Sequence, residues 1–402
     1  MVMAANNESA RTLSLRAVAL PLCVVGVTHP QTCLVLRSRL RALSEAGFRM
    51  MVVSSPGALL EQTAAQEGVE FHAIPICREI SPFRDLISLV RLWRLLCRLK
   101  PAIVEFSTPK AGFLGSVAAW LSGVPRRIYM LRGLKLESAT GFKRVILLAA
   151  EQVAAASAHV VLCNSGSLLE KAQTLGVAPS RKLRLLGDGS SNGVDMDRYQ
   201  PGPSGMRAVM GIPRPAPVVG FVGRLTRDKG VPELVEAFDA ILKSEQEAHL
   251  LLVGWFDRAE DALDDKTVKA IESHPRIHCT GFVPSTVDYY RVMDVMVLPT
   301  WREGFPNVVL EAAATGVPVI TTISTGSRDS VLPEVTGLLI PPGHPEAIVE
   351  AVLTLLGDPE RRRRMGAAAR YWVQEHFMDR RVLALTADFY RGALADFGVA
   401  GE

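Results

Sequence analysis

Val218-Val219-Gly220-Phe221-Val222-Gly223-Arg224-Leu225-Thr226-Arg227-Asp228-Lys229-Gly230 sets the architecture of this 402-residue chain. Its first five residues form an apolar run with β-branched side chains, which reads as a buried strand ending at Gly223. A short basic loop follows, and Pro232 then opens a helix over 232–243, where proline suits the first turn. Strand, loop and helix in this order are the opening unit of a parallel sheet. Downstream the alternation continues, with strands expected at 249–253, 277–280, 295–299 and 317–321 and helices at 307–315 and 345–356.

Upstream the texture changes. Gly and Ser cluster at 187–193, and Pro201, Pro203, Pro213, Pro215 and Pro217 follow, which is turn and linker chemistry. The boundary between two units is placed near 190–215. Before it lies a first alternation, with strands expected at 18–27, 49–54, 69–75, 103–106, 127–131 and 159–164. Helices are expected at 34–46, 59–67, 84–99, 112–121 and 142–158. The fold class is therefore α/β, with two Rossmann-like parallel-sheet domains facing across a cleft. The expected spans are 15–200 and 201–378, with a last helix in 379–398 that packs back on the first domain. Two cores suit this length, and open parallel sheets bind ligands beyond the carboxyl ends of their strands.

Hydrophobic residues make up 48% of the chain and charged ones 21%, an ordinary globular balance. Residues 1–14 and 398–402 carry no periodic pattern and are expected to be disordered. A net charge of +4 with no dense basic stripe gives no case for nucleic acid. The six cysteines form no Cys-x-x-Cys pair or Cys/His cluster, so no metal site is expected, and most read as buried thiols. The apolar run 17–27 follows Arg16 and lacks a small-residue cleavage pattern, so it reads as a strand and not as a leader. No apolar stretch is long enough to span a bilayer. The expected location is the cytoplasm, or the inner face of the cytoplasmic membrane.

The candidate chemistry lies in Glu303-Gly304-Phe305-Pro306-Asn307-Val308-Val309-Leu310-Glu311, which leaves a strand and opens a helix at Pro306. Free amides at a helix start suit phosphates or sugar oxygens. Glu303 belongs to the loop, and Glu311 lies two turns on; a carboxylate accepts two hydrogen bonds, which suits a vicinal diol. In the first quoted stretch, Gly223 permits close approach of a ligand to the backbone. Arg224 and Lys229 would neutralise a departing diphosphate in place of a metal. Solvated acids and an exposed basic loop are the simpler readings of each segment alone.

Together, E-G-F-P-N-x-x-x-E and G-R-L-x-x-x-K-G resemble the signature of glycosyltransferase family 4. The likeness extends through Thr325-Gly326-Ser327-Arg328-Asp329 and residues 336–342. In the first half, Thr108-Pro109-Lys110-Ala111-Gly112, Leu131-Arg132-Gly133-Leu134 and residues 189–195 are similar to a bacterial branch that builds capsule, O-antigen and exopolysaccharide units. The resemblance implies a GT-B fold and anomeric retention without metal or other cofactor. It implies a nucleotide-sugar donor, expected to be a UDP-sugar, and a lipid-linked or oligosaccharide acceptor. Arg224 and Lys229 would bind the diphosphate, Glu311 the ribose and Glu303 the sugar hydroxyls. With these two cations, Glu303 makes up the expected catalytic set. Gly223, Gly304, Phe305, Pro306, Asn307 and Val308 would line the donor pocket. Gly26, Lys110, Arg132 and Gly133 would line the acceptor side. Many members carry His-Gly where this chain has Arg132-Gly133, and an always-protonated Arg cannot act as a general base. It is expected to line the site.

Residues 84–100 are basic and apolar with one Trp. They read first as a crossover helix burying a Leu/Val face, and second as a helix resting on an anionic bilayer. The run 361–364 reads as a solvated helix start. Two other functions share the architecture: a nucleotide-sugar 2-epimerase, which does not predict the two-glutamate helix, and a silent nucleotide-sugar-binding subunit, which retention of all four charged residues opposes.

Overall fold

The computed structural model describes residues 20–395, apart from 78, 80, 108 and 258–260. The first sheet is built from β1 (Leu22–Gly26), β2 (Arg49–Ser54), β3 (Glu70–Ala73), β4 (Ile103–Ser107), β5 (Arg126–Leu131), β6 (Val160–Cys163) and β7 (Leu183–Leu185). The second holds β8 (Val218–Val222), β9 (His249–Val253), β10 (Ile277–Cys279), β11 (Val295–Leu298), β12 (Val319–Thr322) and β13 (Gly337–Ile340). Their orders are β3-β2-β1-β4-β5-β6-β7 and β10-β9-β8-β11-β12-β13. Pairings such as β1 with β4 and β8 with β11 are parallel. The expected α/β arrangement of two parallel sheets with flanking helices is thus observed. The strand order reverses between β1 and β4 and between β8 and β11, where the loops part and leave a crevice.

β1 and β8 are buried along nearly their whole length, as strands covered by helices on both faces must be. The second sheet shares one continuous core with its helices, among them Pro359–Phe377. The first sheet also takes up the last helix, Asp379–Ala395, whose Ala387 and Tyr390 join the core around Cys23, Leu40 and Phe48. The chain crosses back at Val194, whose amide donates to Phe377 O at 2.8 Å while Asp379 N donates to Val194 O at 3.0 Å.

Several local expectations are corrected. The helix expected at 34–46 is split into a 3-10 turn, Pro30–Leu36, and a helix, Arg39–Glu45. Ser38 between them has φ 62°. Glu67 stabilises the break, accepting from Ser38 N at 2.9 Å and Arg41 N at 3.1 Å, and Arg39 turns inward to Glu105. Only Leu22–Gly26 of the strand expected at 18–27 is strand; residues 18 and 19, like 1–14 and 398–402, lie outside the described residues. The helices Gly166–Thr174 and Asp265–Ser273, along with β7 and β13, had no expected counterpart. The run 361–364 opens the helix Pro359–Phe377, capped by Asp358. Cys23, Cys33 and Cys163 are buried, but Cys97 and Cys279 are exposed and Cys77 is half-buried. Cys97 sits on the outward face of the helix Pro82–Leu99, so its apolar neighbourhood in sequence did not imply burial.

Candidate functional site

Two loops at the carboxyl ends of β8 and β11 are knitted together by close backbone packing. Gly230 has φ 72°, and a Cβ there would fall 2.0 Å from Pro299 O. The loops are also joined by Asp228, whose carbonyl accepts from Trp301 N at 2.9 Å and Thr300 Oγ1 at 3.0 Å. Its carboxylate meets Arg302 Nη2 at 3.2 Å. Burial raises the pKa of Asp228, but Lys229, the Thr226 hydroxyl, Arg302 and Arg224 outweigh it and hold the group below the usual range.

The expected cations sit beside carboxylates. Lys229 Nζ lies 2.5 Å from Glu303 Oε1 and Arg224 Nη1 lies 2.7 Å from Asp257 Oδ2. Burial lowers the Arg224 pKa, and the bond to Asp257 with the charges of Asp228, Asp257 and Glu303 more than restores it. Gly223, with φ 152°, leaves β8 just before them. Its carbonyl crowds Gly254, where a Cβ would fall 1.7 Å from Gly223 O.

Glu311 lies on the helix Asn307–Ala314, which Pro306 precedes as expected. Its Oε2 accepts from Tyr290 OH at 2.9 Å and from Thr286 Oγ1 at 3.4 Å. Burial raises its pKa, against the lowering effect of bonds from Tyr290 and Tyr199. A carboxylate oriented by two tyrosines is preorganised to accept further hydroxyl donors. Phe305 is buried against Phe377 with ring centroids 5.2 Å apart, so it anchors the loop from below. Val308 O accepts from Tyr290 OH at 3.2 Å.

The first sheet closes the other side. A Cβ on Gly304 would fall 2.3 Å from Arg132 O, and one on Gly133 would fall 3.4 Å from Gly304 N. Arg132-Gly133 therefore rests on Glu303-Gly304. Around this contact Ser190 Oγ donates to Asn307 Oδ1 at 3.0 Å, Thr325 Oγ1 to Glu137 Oε1 at 2.9 Å, and Gly326 N to Ser167 Oγ at 2.7 Å. The Ser167 hydroxyl in turn donates to Asp329. The motif 325–329 thus works as a clasp between the halves.

Of the expected residues, Gly223, Arg224, Lys229, Glu303, Gly304, Phe305 and Pro306 lie on these loops and Asn307, Val308 and Glu311 on the helix that follows, and Arg132 and Gly133 rest on Glu303-Gly304. Among the described residues, no contact joins Gly26 or Lys110 to these loops. A Cβ on Gly26 would fall 2.2 Å from the Phe106 ring, so packing accounts for that glycine. Lys110 pairs with Asp85 Oδ1 at 2.7 Å and also donates to Glu79 O; Thr108 beside it lies outside the described residues. Asp257, Tyr290, Asn164 and Ser167 were missed. The sequence signal for Asp257 is its place just after β9; the others carry no motif.

Residues 216–358 match the family description "Glycosyl transferases group 1", and residues 35–189 match "Glycosyl transferase 4-like domain". The chain is similar to the capsular polysaccharide biosynthesis glycosyltransferase CapM of Staphylococcus aureus, with 34% identity over 87% of this chain and 92% of that protein. It is also similar to an Escherichia coli enzyme named UDP-Gal:alpha-D-GlcNAc-diphosphoundecaprenol alpha-1,3-galactosyltransferase, with 29% identity over 72% of this chain and 75% of that one. Among solved structures, sucrose-phosphate synthase from Thermosynechococcus elongatus superimposes with TM-score 0.79 at 21% identity, covering 94% of this chain and 100% of that one.

Proposed function

Because this chain belongs to the group 1 glycosyl transferases and is a glycosyltransferase of the GT-B fold, we propose that it moves a sugar from a UDP-sugar onto a lipid-linked saccharide, with retention, in building a surface polysaccharide. The observation that carries this reading is the convergence of Arg224, Lys229 and Glu303 on two interlocked loops, with Arg132-Gly133 of the first sheet resting on them. The name of CapM supports the polysaccharide setting, and that of the Escherichia coli relative supports both the UDP-sugar donor and the lipid-linked acceptor.

In this reading the donor diphosphate displaces the carboxylates from Arg224 and Lys229, and the two cations then stabilise the charge that develops as the glycosidic bond breaks. Glu303, released from Lys229, accepts the sugar hydroxyls, while Glu311 accepts the ribose diol. The acceptor hydroxyl approaches on the same face as the departing phosphate, which takes its proton. The diphosphate charge is met by Arg224 and Lys229 themselves, so no cofactor is required.

Among the described residues no helix is long and apolar enough to cross a membrane. In this reading the lipid-linked acceptor is met at a membrane surface. The helix Pro82–Leu99 buries Ser88, Leu92, Leu95 and Leu96, yet leaves Phe83, Leu86, Ile87 and Trp93 exposed beside exposed Arg84, Arg91, Arg94 and Arg98. Apolar and basic side chains on one outward face suit the anionic cytoplasmic leaflet.

The test is release of nucleoside diphosphate by the purified protein from UDP-, GDP- and dTDP-sugars, with EDTA and a lipid-diphosphate-linked sugar present. Release from one donor, abolished by Glu303→Ala, supports the reading. Silence across the panel with UDP still bound points to a subunit that binds the donor without turning it over.

A further inference from the structure

Arg39, Glu105 and Tyr390 form a closed buried cluster. Arg39 Nη1 and Nη2 donate to Glu105 Oε1 and Oε2 at 2.8 and 2.5 Å, and Tyr390 OH donates to Oε2 at 2.8 Å. One guanidinium and one phenol thus use the whole carboxylate. Arg132 is a second cation beside this cluster, and the one carboxylate whose charge favours it, Glu105, is already bound by Arg39 and Tyr390. Its Nη1 donates to the neutral Ser191 hydroxyl at 2.8 Å. Its Nε and Nη2 are sealed from solvent and have no partner among the described residues. Burial, then the charge of Arg39, lower its pKa to about 10 against the raising effect of Glu105 and Tyr390, so it remains a cation at neutral pH.

The two unpartnered atoms share one edge of the guanidinium plane. That edge presents two parallel N–H groups and grips both oxygens of a carboxylate or phosphate. The chain uses the same edge elsewhere: Arg49 Nε and Nη2 donate to Glu70 Oε1 and Oε2 at 2.6 and 3.0 Å. At Arg132 the edge has no partner among the described residues, and it lies beside the loop that carries Glu303 and Gly304. The Arg132 carbonyl backs onto Gly304, a Cβ at Gly304 would also fall 3.0 Å from Asn164 Nδ2, and Asn164 Oδ1 is likewise unpartnered. A buried cation with no carboxylate bound to it directly is costly, and the cost is recovered when a ligand brings the charge.

We infer that the Nε–Nη2 edge of Arg132 receives a bidentate oxyanion, a carboxylate or a phosphate, carried by a substrate in the cleft. The carrier depends on the glycosyltransferase reading: it is the donor, through its diphosphate or an acid group on the transferred sugar, or the acceptor, through its phosphate.

The experiment compares the full chain with Arg132→Met, which keeps length but removes charge and fork, and Arg132→Lys, which keeps charge alone. Calorimetric titrations use inorganic pyrophosphate, UDP, UDP-glucose, UDP-glucuronate and a short-chain prenyl diphosphate bearing a sugar. At least one probe should bind tenfold or more weakly to Arg132→Met and by an intermediate factor to Arg132→Lys, with the melting temperature unchanged or raised. Weakening of pyrophosphate and UDP identifies the donor diphosphate. Weakening of UDP-glucuronate alone identifies an acid on the sugar, and weakening of the prenyl diphosphate alone identifies the acceptor. Affinities within twofold of wild type for every probe, or a wild-type protein that binds none of them, overturn the inference. Lys229→Met run alongside separates the two readings. UDP affinity lost there but kept in Arg132→Met and Arg132→Lys, with the other probes also unchanged, sinks the Arg132 site and leaves the donor loop standing; the reverse pattern sinks the donor-loop assignment alone.

Discussion

Lys229 Nζ and Glu303 Oε1 stand 2.5 Å apart, on loops that leave different strands of the second sheet. The cation proposed for the phosphate and the carboxylate proposed for the sugar hydroxyls hold each other in the absence of substrate. Each side chain is mostly buried, 14% and 17% exposed, so the pair keeps the pocket neutral and oriented until a diphosphate takes the lysine. Removing either partner strands the other charge.

Lys229→Met and Glu303→Gln are each expected to lower kcat/KM by about 10²- to 10³-fold. They should differ in binding, with UDP affinity falling in Lys229→Met and holding within a few-fold in Glu303→Gln. Steady-state kinetics with UDP calorimetry reads both; near wild-type turnover in either variant contradicts the assignment.

Glu311→Gln should weaken UDP by roughly tenfold while changing kcat less, the pattern of lost ground-state binding. Because burial raises the Glu311 pKa, acidification should protonate it at a higher pH than an ordinary carboxylate. UDP affinity should therefore drop on the acid side in the wild type and stay flatter in the variant. An identical pH profile for the two proteins speaks against a role for Glu311 in binding.

Gly304→Ala places a methyl 2.3 Å from the Arg132 carbonyl. Backbone cannot yield as a flexible side chain does, so the halves must part. A larger radius of gyration in solution scattering is expected, with activity down by at least about tenfold, since small displacements at a reacting centre are costly. Unchanged scattering and turnover would show that the contact is dispensable.

Changing Arg91, Arg94 and Arg98 together to Glu should release the protein from vesicles containing anionic lipid, with UDP binding intact. All three side chains are exposed, and each basic residue near such a surface contributes about 1 kcal/mol. Sedimentation equal to wild type rules out this face as the membrane contact.

Glu151 has its pKa raised to about 7 by burial, against the lowering effect of the Tyr129 hydroxyl 2.5 Å away. A raised acid binds more protons folded than unfolded, so its contribution to stability is full below the unfolded value near 4.5 and is lost as pH rises to about 7. Glu151→Gln should then be near neutral at pH 4 and stabilising at pH 8 by on the order of 3 kcal/mol. Thermal melts at the two pH values test the sign.

The alternation of apolar runs and amphipathic segments was legible because its causes are local. A strand buried on both faces needs a continuous apolar run, as at Val218–Val222, and a helix needs a 3.6-residue period, as at Val231–Ser244. The loops bearing Arg224, Lys229 and Glu303, and the helix bearing Glu311, were legible for a related reason: glycine and proline mark where a strand stops and a helix starts. The split at Ser38 was not legible, since Glu67 caps it from another helix. Nor was any pairing between residues distant in sequence. Arg39 meets Glu105 from 66 positions away, Tyr390 meets it from 285, and Lys229 meets Glu303 from 74. Such contacts have no period and no spacing rule. They exist because two sheets and a returning helix pack in one way, and that packing also leaves one edge of Arg132 without a partner.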